Sequence, residues 1–240
     1  MQFLRTFEIH YSCNKSTEFM KMESSKYTHI IWDWNGTLLN DNWRCVDVMN
    51  TLLASRNLPL LTLERYRDIF DFPVKAYYEK LGFDFKKESF EGVGMDFMIR
   101  YNKRQKECRL HEDAVISLKR IAASGYRQNI LSAREQNELR QETIDLGVAG
   151  YFDKIDGLDD HYAHGKTDVG IRLLKELNVE KRKILFIGDT CHDADVAKEL
   201  EIDCILIPNG HHSKERLRGS GSPIVKSLDK LSGYLCNPIR

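Results

Sequence analysis

An α/β fold, a Rossmann-like parallel sheet core carrying an inserted small α-helical unit, is what this sequence predicts, and three observations predict it. Short apolar runs break abruptly at Asp33, Ser132 and Asp189, each at the end of an expected strand. From residue 112 onward strand and helix patterns alternate, as they do where helices wrap a parallel sheet. Between about 41 and 107 the pattern is wholly helical instead. A chain of 240 residues is long enough for such a core and its insert.

The elements follow in order. The first 26 residues lack helical or strand periodicity and end in Glu23-Ser24-Ser25-Lys26, which predicts a disordered leader over 1–26; translation from Met20 or Met22 is compatible with that. The core is expected over 27–40 and 108–240, opening on the buried strand Tyr27-Thr28-His29-Ile30-Ile31-Trp32 that delivers Asp33. In the insert, 41–107, Val46, Met49, Leu52 and Leu53 share a helix face. Pro73 suits the first position of a helix over Val74 to Leu81, and Phe90, Val93, Phe97 and Tyr101 form another stripe; these aromatics read as packing. A helix near 113–124 stops at Gly125, a strand runs Arg127 to Leu131, and a helix around 135–146 stops at Gly147. Lys166 to Leu177 is amphipathic, and Lys183 to Ile187 and Cys204 to Ile207 are strands. In such a sheet the ligand site lies beyond the carboxyl ends of the strands, where Asp33, Ser132 and Asp189 fall.

Composition narrows the partners. Lys plus Arg and Asp plus Glu both number 36, so no global field favours nucleic acid or an anionic membrane. No apolar run approaches the roughly 20 residues that a membrane span needs. The six cysteines show neither Cys-x-x-Cys pairing nor zinc spacing, and no secretory apolar stretch opens the chain, so reduced thiols and a cytoplasmic location are expected.

Four elements carry chemistry. Asp33-Trp34-Asn35-Gly36-Thr37 places a potential nucleophile ahead of a glycine turn whose backbone groups, with Thr37, can meet a phosphate, although Asp-x-Asn-Gly also describes an ordinary turn. Ser132, followed by Ala133, supplies a hydroxyl and backbone N–H donors for a phosphoryl oxygen, or serves as a helix cap. Lys166 can neutralise phosphate charge, or sit solvated at a helix end. Gly188-Asp189-Thr190-Cys191-His192-Asp193 offers two carboxylates that, with Asp33, suit the oxygen coordination of Mg²⁺.

Together and in this order, these elements resemble the motif series of the haloacid dehalogenase-like hydrolase superfamily over about residues 28–230. The helical insert between the first and second motifs resembles that family's cap, and Phe72 to Phe83 looks like the phosphoglycolate phosphatase subgroup. The resemblance implies Mg²⁺-dependent hydrolysis of a small phosphorylated metabolite. Asp33 would form an aspartyl-phosphate, and the metal would be held by Asp33, the backbone carbonyl of Asn35 and Asp189, with Asp193 in support. Gly36, Thr37, Ser132, Ala133 and Lys166 would hold the phosphoryl group. Oligomeric state has no signature in the sequence.

One position departs from the family. Its phosphatases carry Asp two residues after the nucleophile as general acid and base; here Asn35 stands there, and an amide cannot exchange a proton near neutral pH. Three readings follow. The first is a working phosphatase, with His192 or His164 as candidate substitutes for the acid. The second is a decayed site that binds phosphate for regulation without turnover. The third is a carbon–phosphorus hydrolase of the phosphonoacetaldehyde hydrolase type, a subgroup that also has Trp after the nucleophile and would use a cap lysine such as Lys75 as a Schiff base.

Other signals are set aside. His164-Gly165-Lys166-Thr167 lacks the upstream glycine of a nucleotide-binding loop, Gly157 being eight positions away. Gly92-Val93-Gly94 has no third glycine at Phe97. His211-His212 reads as loop, with Glu215 the nearby carboxylate in sequence. Dehalogenation is not expected, because displacing halide has no need of the acidic loop.

Overall fold

A computed structural model of the chain describes residues 26–159 and 165–236. Residues 1–25 of the expected leader, with Met20 and Met22, and His164 lie outside the described residues. Five parallel strands form the core sheet in the order β5-β4-β1-β6-β7: β1 His29–Trp32, β4 Arg127–Glu135, β5 Lys154–Leu158, β6 Ile184–Gly188 and β7 Asp203–Leu206. The chain builds outward from β1 through β4 to β5, then crosses to β6 on the other side of β1. That reversal opens a crevice at the carboxyl ends of β1, β4 and β6.

Alternation along β1 explains the layers. Ile30 and Trp32 face a cluster with α5 (Ala114–Ala123), α6 (Gln136–Asp145) and α10 (Leu231–Cys236), where Leu118, Ile121, Leu139 and Leu231 are buried. Ile31 faces the other side, packing with Phe186 against Val169 and Leu173 of α7 (Lys166–Leu177) and Val196 and Leu200 of α8 (Cys191–Leu200). A sheet covered on both faces requires continuous apolar strands, which Ile184-Leu185-Phe186-Ile187 supplies.

Between β2 (Leu39–Asn40) and β3 (Arg109–Leu110), which pair antiparallel, lie α1 (Asn42–Ala54), α2 (Leu63–Ile69), α3 (Val74–Lys80) and α4 (Phe90–Lys103). They share their own cluster, in which Met49, Leu52, Tyr66, Tyr77, Tyr78 and Val93 are buried. This unit touches the loop after β7: Arg67 Nε donates to Gly210 O at 2.9 Å, and Ser213 N donates to Arg67 O at 3.1 Å. The short helix α9, Lys214–Arg218, follows that loop.

Three local expectations shift. Pro73 is the residue before α3, and its helix ends at Lys80 with Leu81 as cap. Strand β4 continues past Ser132 to Glu135, whose side chain caps α6, so Ser132 lies within a strand and is not a helix cap. Strands β5, β2 and β3 went unread because two-residue strands have no periodicity and β5, Lys-Ile-Asp-Gly-Leu, lacks an apolar run. Cys45, Cys108, Cys191 and Cys204 are free thiols, and no helix among the described residues is long and apolar enough to cross a membrane.

Candidate active site

Asp33 follows β1 directly and stays tied to the sheet, its N–H donating to Ile187 O at 2.8 Å. Lys166, the first residue of α7, reaches under it: Nζ donates to Asp33 Oδ1 at 2.5 Å and to Asp193 Oδ1 at 2.6 Å, all three groups being buried. The solvated-lysine alternative is thereby excluded. Asp193 Oδ2 accepts from Thr190 N at 2.9 Å and Thr190 Oγ at 2.7 Å, closing a capping box at the start of α8. Asp189 accepts from Thr37 Oγ at 2.7 Å and from His211 N at 2.6 Å. Oxygen atoms of Asp33, Asp189 and Asp193 all lie within 4.8 Å of one another.

Asp33 and Asp193 share the Lys166 ammonium with Asp189 beside them, and the protonation of the three reflects it. Burial pushes Asp33 up; Lys166 pulls against it, and the charges of Asp193 and Asp189 push it further. Burial also raises Asp189, partly offset by His211. Asp193, though equally buried, is held below the usual range by Lys166 and Thr190. The oxygen donor set and its crowding of carboxylates fit a hard divalent cation such as Mg²⁺. Close approach is built in: Gly36 adopts φ +77°, and a β-carbon there would collide with the Asp189 carboxylate and the His211 ring.

A cavity of about 430 Å³ opens above Asp33, between the sheet edge and the helical unit. Asn35, Ser132, Ala133, Lys166 and Asp193 line it with Asp33; Gly36, Thr37 and Asp189 stand behind that wall. The Gly36 N–H is already engaged by Leu39 O and Asp41 Oδ1, both at 2.9 Å, and the Thr37 hydroxyl by Asp189, so both brace the acidic cluster from behind. Ser132 Oγ accepts from Arg134 N at 3.1 Å. Trp34 is fully buried, its indole N–H donating to Glu142 at 2.8 Å. Lys75 is exposed, lies over the Phe85 ring and does not line the cavity, which removes the Schiff-base lysine of the carbon–phosphorus reading.

Sequence reasoning missed a second buried network. Asn35 Nδ2 donates to Asp41 Oδ2 and to Tyr101 OH, both at 2.9 Å, and Tyr101 OH donates to the same Asp41 oxygen at 2.5 Å. The Arg44 guanidinium lies 3.5 Å from the centre of the Tyr101 ring. His211 Nε2 is 3.4 Å from Asp41 Oδ1, and its Nδ1 meets Tyr66 OH at 2.8 Å. Burial opposes the charge on His211, yet Asp41, with Asp189 and Asp33 beyond it, draws the imidazole up to about 9. Burial is likewise outweighed at Asp41, which His211 and Tyr101 hold well below the usual carboxylate range. His211 is therefore part of the site and not a plain loop residue; its carboxylate partners are Asp41 and Asp189, far from it in sequence. The available signal was its position just beyond a strand, at the same sheet edge as the motifs.

A model of the haloacid dehalogenase-like hydrolase family matches residues 30–207. The chain belongs to that family. It is 22% identical over 203 residues to the N-acetylmuramic acid 6-phosphate phosphatase of Pseudomonas putida, covering 82% of this chain and 90% of that protein. Its fold is similar to that of a haloacid dehalogenase-like family hydrolase from Streptococcus pneumoniae, with TM-score 0.76, 20% identity, and coverage of 87% and 98% of the two chains. A protein named as a predicted phosphoglycolate phosphatase from Haemophilus somnus gives TM-score 0.70 at 17% identity, covering 88% of this chain and 98% of its own. Within this haloacid dehalogenase-like hydrolase, the four motif positions named from sequence converge on one crevice, and Asn35 faces the same cavity.

Proposed function

We propose that this haloacid dehalogenase-like hydrolase is a Mg²⁺-dependent phosphatase of small phosphate monoesters, working in the cytoplasm, with residues 41–107 as a cap over a core of 27–40 and 108–240. The buried Asp33–Lys166–Asp193 arrangement, with Asp189 beside it at the sheet crevice, carries this reading. A phosphatase name on the Pseudomonas relative supports it.

Lys166 holds Asp33 Oδ1, leaving Oδ2 to attack phosphorus. The bond to the ester oxygen breaks, the departing alkoxide takes a proton from water, and water then cleaves the aspartyl-phosphate to release phosphate and restore Asp33. Ser132, Ala133 and Lys166, all on the cavity wall, are placed to hold the phosphoryl oxygens, which is mainly electrostatic work. A divalent cation held by Asp33, Asp189, Asp193 and the Asn35 carbonyl would supply further neutralisation of phosphate charge. The helical unit covers the crevice and lines its outer wall.

A second reading rests on Asn35. Its amide hydrogens are committed to Asp41 and Tyr101, so the side chain gives no proton to a leaving group, and a phosphate-binding protein without turnover would look the same. Phosphate release from acetyl phosphate and an aryl phosphate decides between them. Turnover by wild type that EDTA and Asp33→Ala both abolish is the expected result; wild type no faster than Asp33→Ala leaves the second reading standing.

A further inference from the structure

We propose that the cavity accepts the phosphate monoester of an uncharged, largely apolar alcohol, and not that of a hydroxy acid such as glycolate; this rests on, and narrows, the phosphatase reading. The part of the wall supplied by residues 41–107 is aromatic and sulfur-rich, with Met49, Phe70, Tyr78, Phe97 and Met98 among its members, and no Lys, Arg or His from that segment lines the cavity.

The cations that do line it come from elsewhere and are engaged. Lys166 serves Asp33, Asp193 and the phosphoryl group itself. The Arg134 guanidinium is held by Glu138 and Glu142, each at 3.1 Å, and by Asn102 at 2.9 Å. His211 faces Asp41. His192 lies against the Phe72 ring, centroids 4.5 Å apart. The remaining carboxylates on the wall, Asp41, Glu91 and Glu135, add negative charge. Among the described residues, a second carboxylate on the substrate would therefore enter an apolar, net acidic space without an uncommitted cationic partner, losing its hydration for nothing. An apolar group gains there, since aromatic and methionine side chains give large, adaptable contact area. A cavity of about 430 Å³ holds a group the size of a substituted phenyl ring.

The test compares 2-phenylethyl phosphate with phosphoglycolate. Both leave as unactivated primary alkoxides, so a preference reports the pocket and not the leaving group. Wild type with Mg²⁺ is expected to show kcat/KM at least about tenfold higher for 2-phenylethyl phosphate, the size of one well-buried apolar contact. Equal efficiency, or preference for phosphoglycolate, overturns the proposal while leaving the phosphatase reading intact. Calorimetric titration of both esters into Asp33→Asn protein, or into wild type should it be inert, reads recognition without turnover. Tighter binding of 2-phenylethyl phosphate there supports the proposal even if no phosphate is released, and tighter or equal binding of phosphoglycolate defeats it.

Discussion

Position 35 is matched to position 41. Asn35 donates to a carboxylate that His211 and Tyr101 keep ionised, so an aspartate in its place would set two carboxylates against each other and lose two hydrogen bonds. Asn35→Asp alone is expected to cost about 1–3 kcal/mol of stability. The double variant Asn35→Asp/Asp41→Asn relieves the carboxylate clash and should recover part of that, the Asp41–His211 pairing being lost. Thermal unfolding of the four proteins checks it; additive losses would mean that the two side chains are not coupled. His211 gives a pH signature of its own. Its pKa is raised from 6.5 to about 9 in the fold, so its contribution is complete below about pH 6.5 and fades as pH climbs through 9. The depressed Asp41 contributes above its unfolded value of 3.8 and weakens as pH falls below it. His211→Gln should flatten the alkaline decline of the melting temperature between pH 6.5 and 9, worth roughly 3 kcal/mol at most; an unchanged slope there would show that another group sets it. Asp33, Ser132 and Asp189 were legible because each follows an apolar run, a local signal. Asp41, Tyr101 and His211 were not, because their meaning comes from pairing across 60 and 170 positions of sequence, which leaves no pattern on either side.

At the scale of elements, α8 does two jobs with one residue. Asp193 closes the capping box with Thr190 while its other oxygen holds Lys166. Thr190→Ala should cost about 1 kcal/mol, or some 2–4 °C in melting temperature, and Thr190→Ser should restore it. A loss that Ser does not rescue would point to packing by the Thr methyl instead of the cap. The strong strands β1 and β6 and the amphipathic α7 could be read from sequence because both faces of the sheet are covered and their apolar content is continuous. The end of β4 could not, since Ala133, Arg134 and Glu135 carry no β signal, and the pairing of β4 with β5 shifts register between Leu131 and Glu135 before resuming at Glu135 opposite Leu158.

For the whole molecule, three buried carboxylates against one lysine make a binding divalent cation a folding ligand. Mg²⁺ at about 100 times its dissociation constant should add roughly 2.7 kcal/mol, several degrees in melting temperature, and EDTA should remove it. Asp189→Asn should shrink that increment without removing Asp33 or Lys166 from place. An identical Mg²⁺ increment in Asp189→Asn protein would mean that the cation binds elsewhere. The layered architecture itself was evident from strand and helix alternation, and the helical segment from the break in that alternation.

The little ribbon formed by β2 and β3 acts as a collar. Leu39 sits opposite Leu110 and Asn40 opposite Arg109, so the chain departs from the sheet domain and rejoins it at one point. Whatever is strung between Asn40 and Arg109 has its ends already brought together, and the ring-closure entropy of an insert grows only slowly with its length. The helical segment is thus a replaceable fitting. A different insert, longer or shorter, could be mounted on the same collar while β1, β4 and β6 keep their register, leaving Asp33, Ser132 and Asp189 where they stand, provided it kept the partners of Asn35 and His211 that Asp41, Tyr66 and Tyr101 supply.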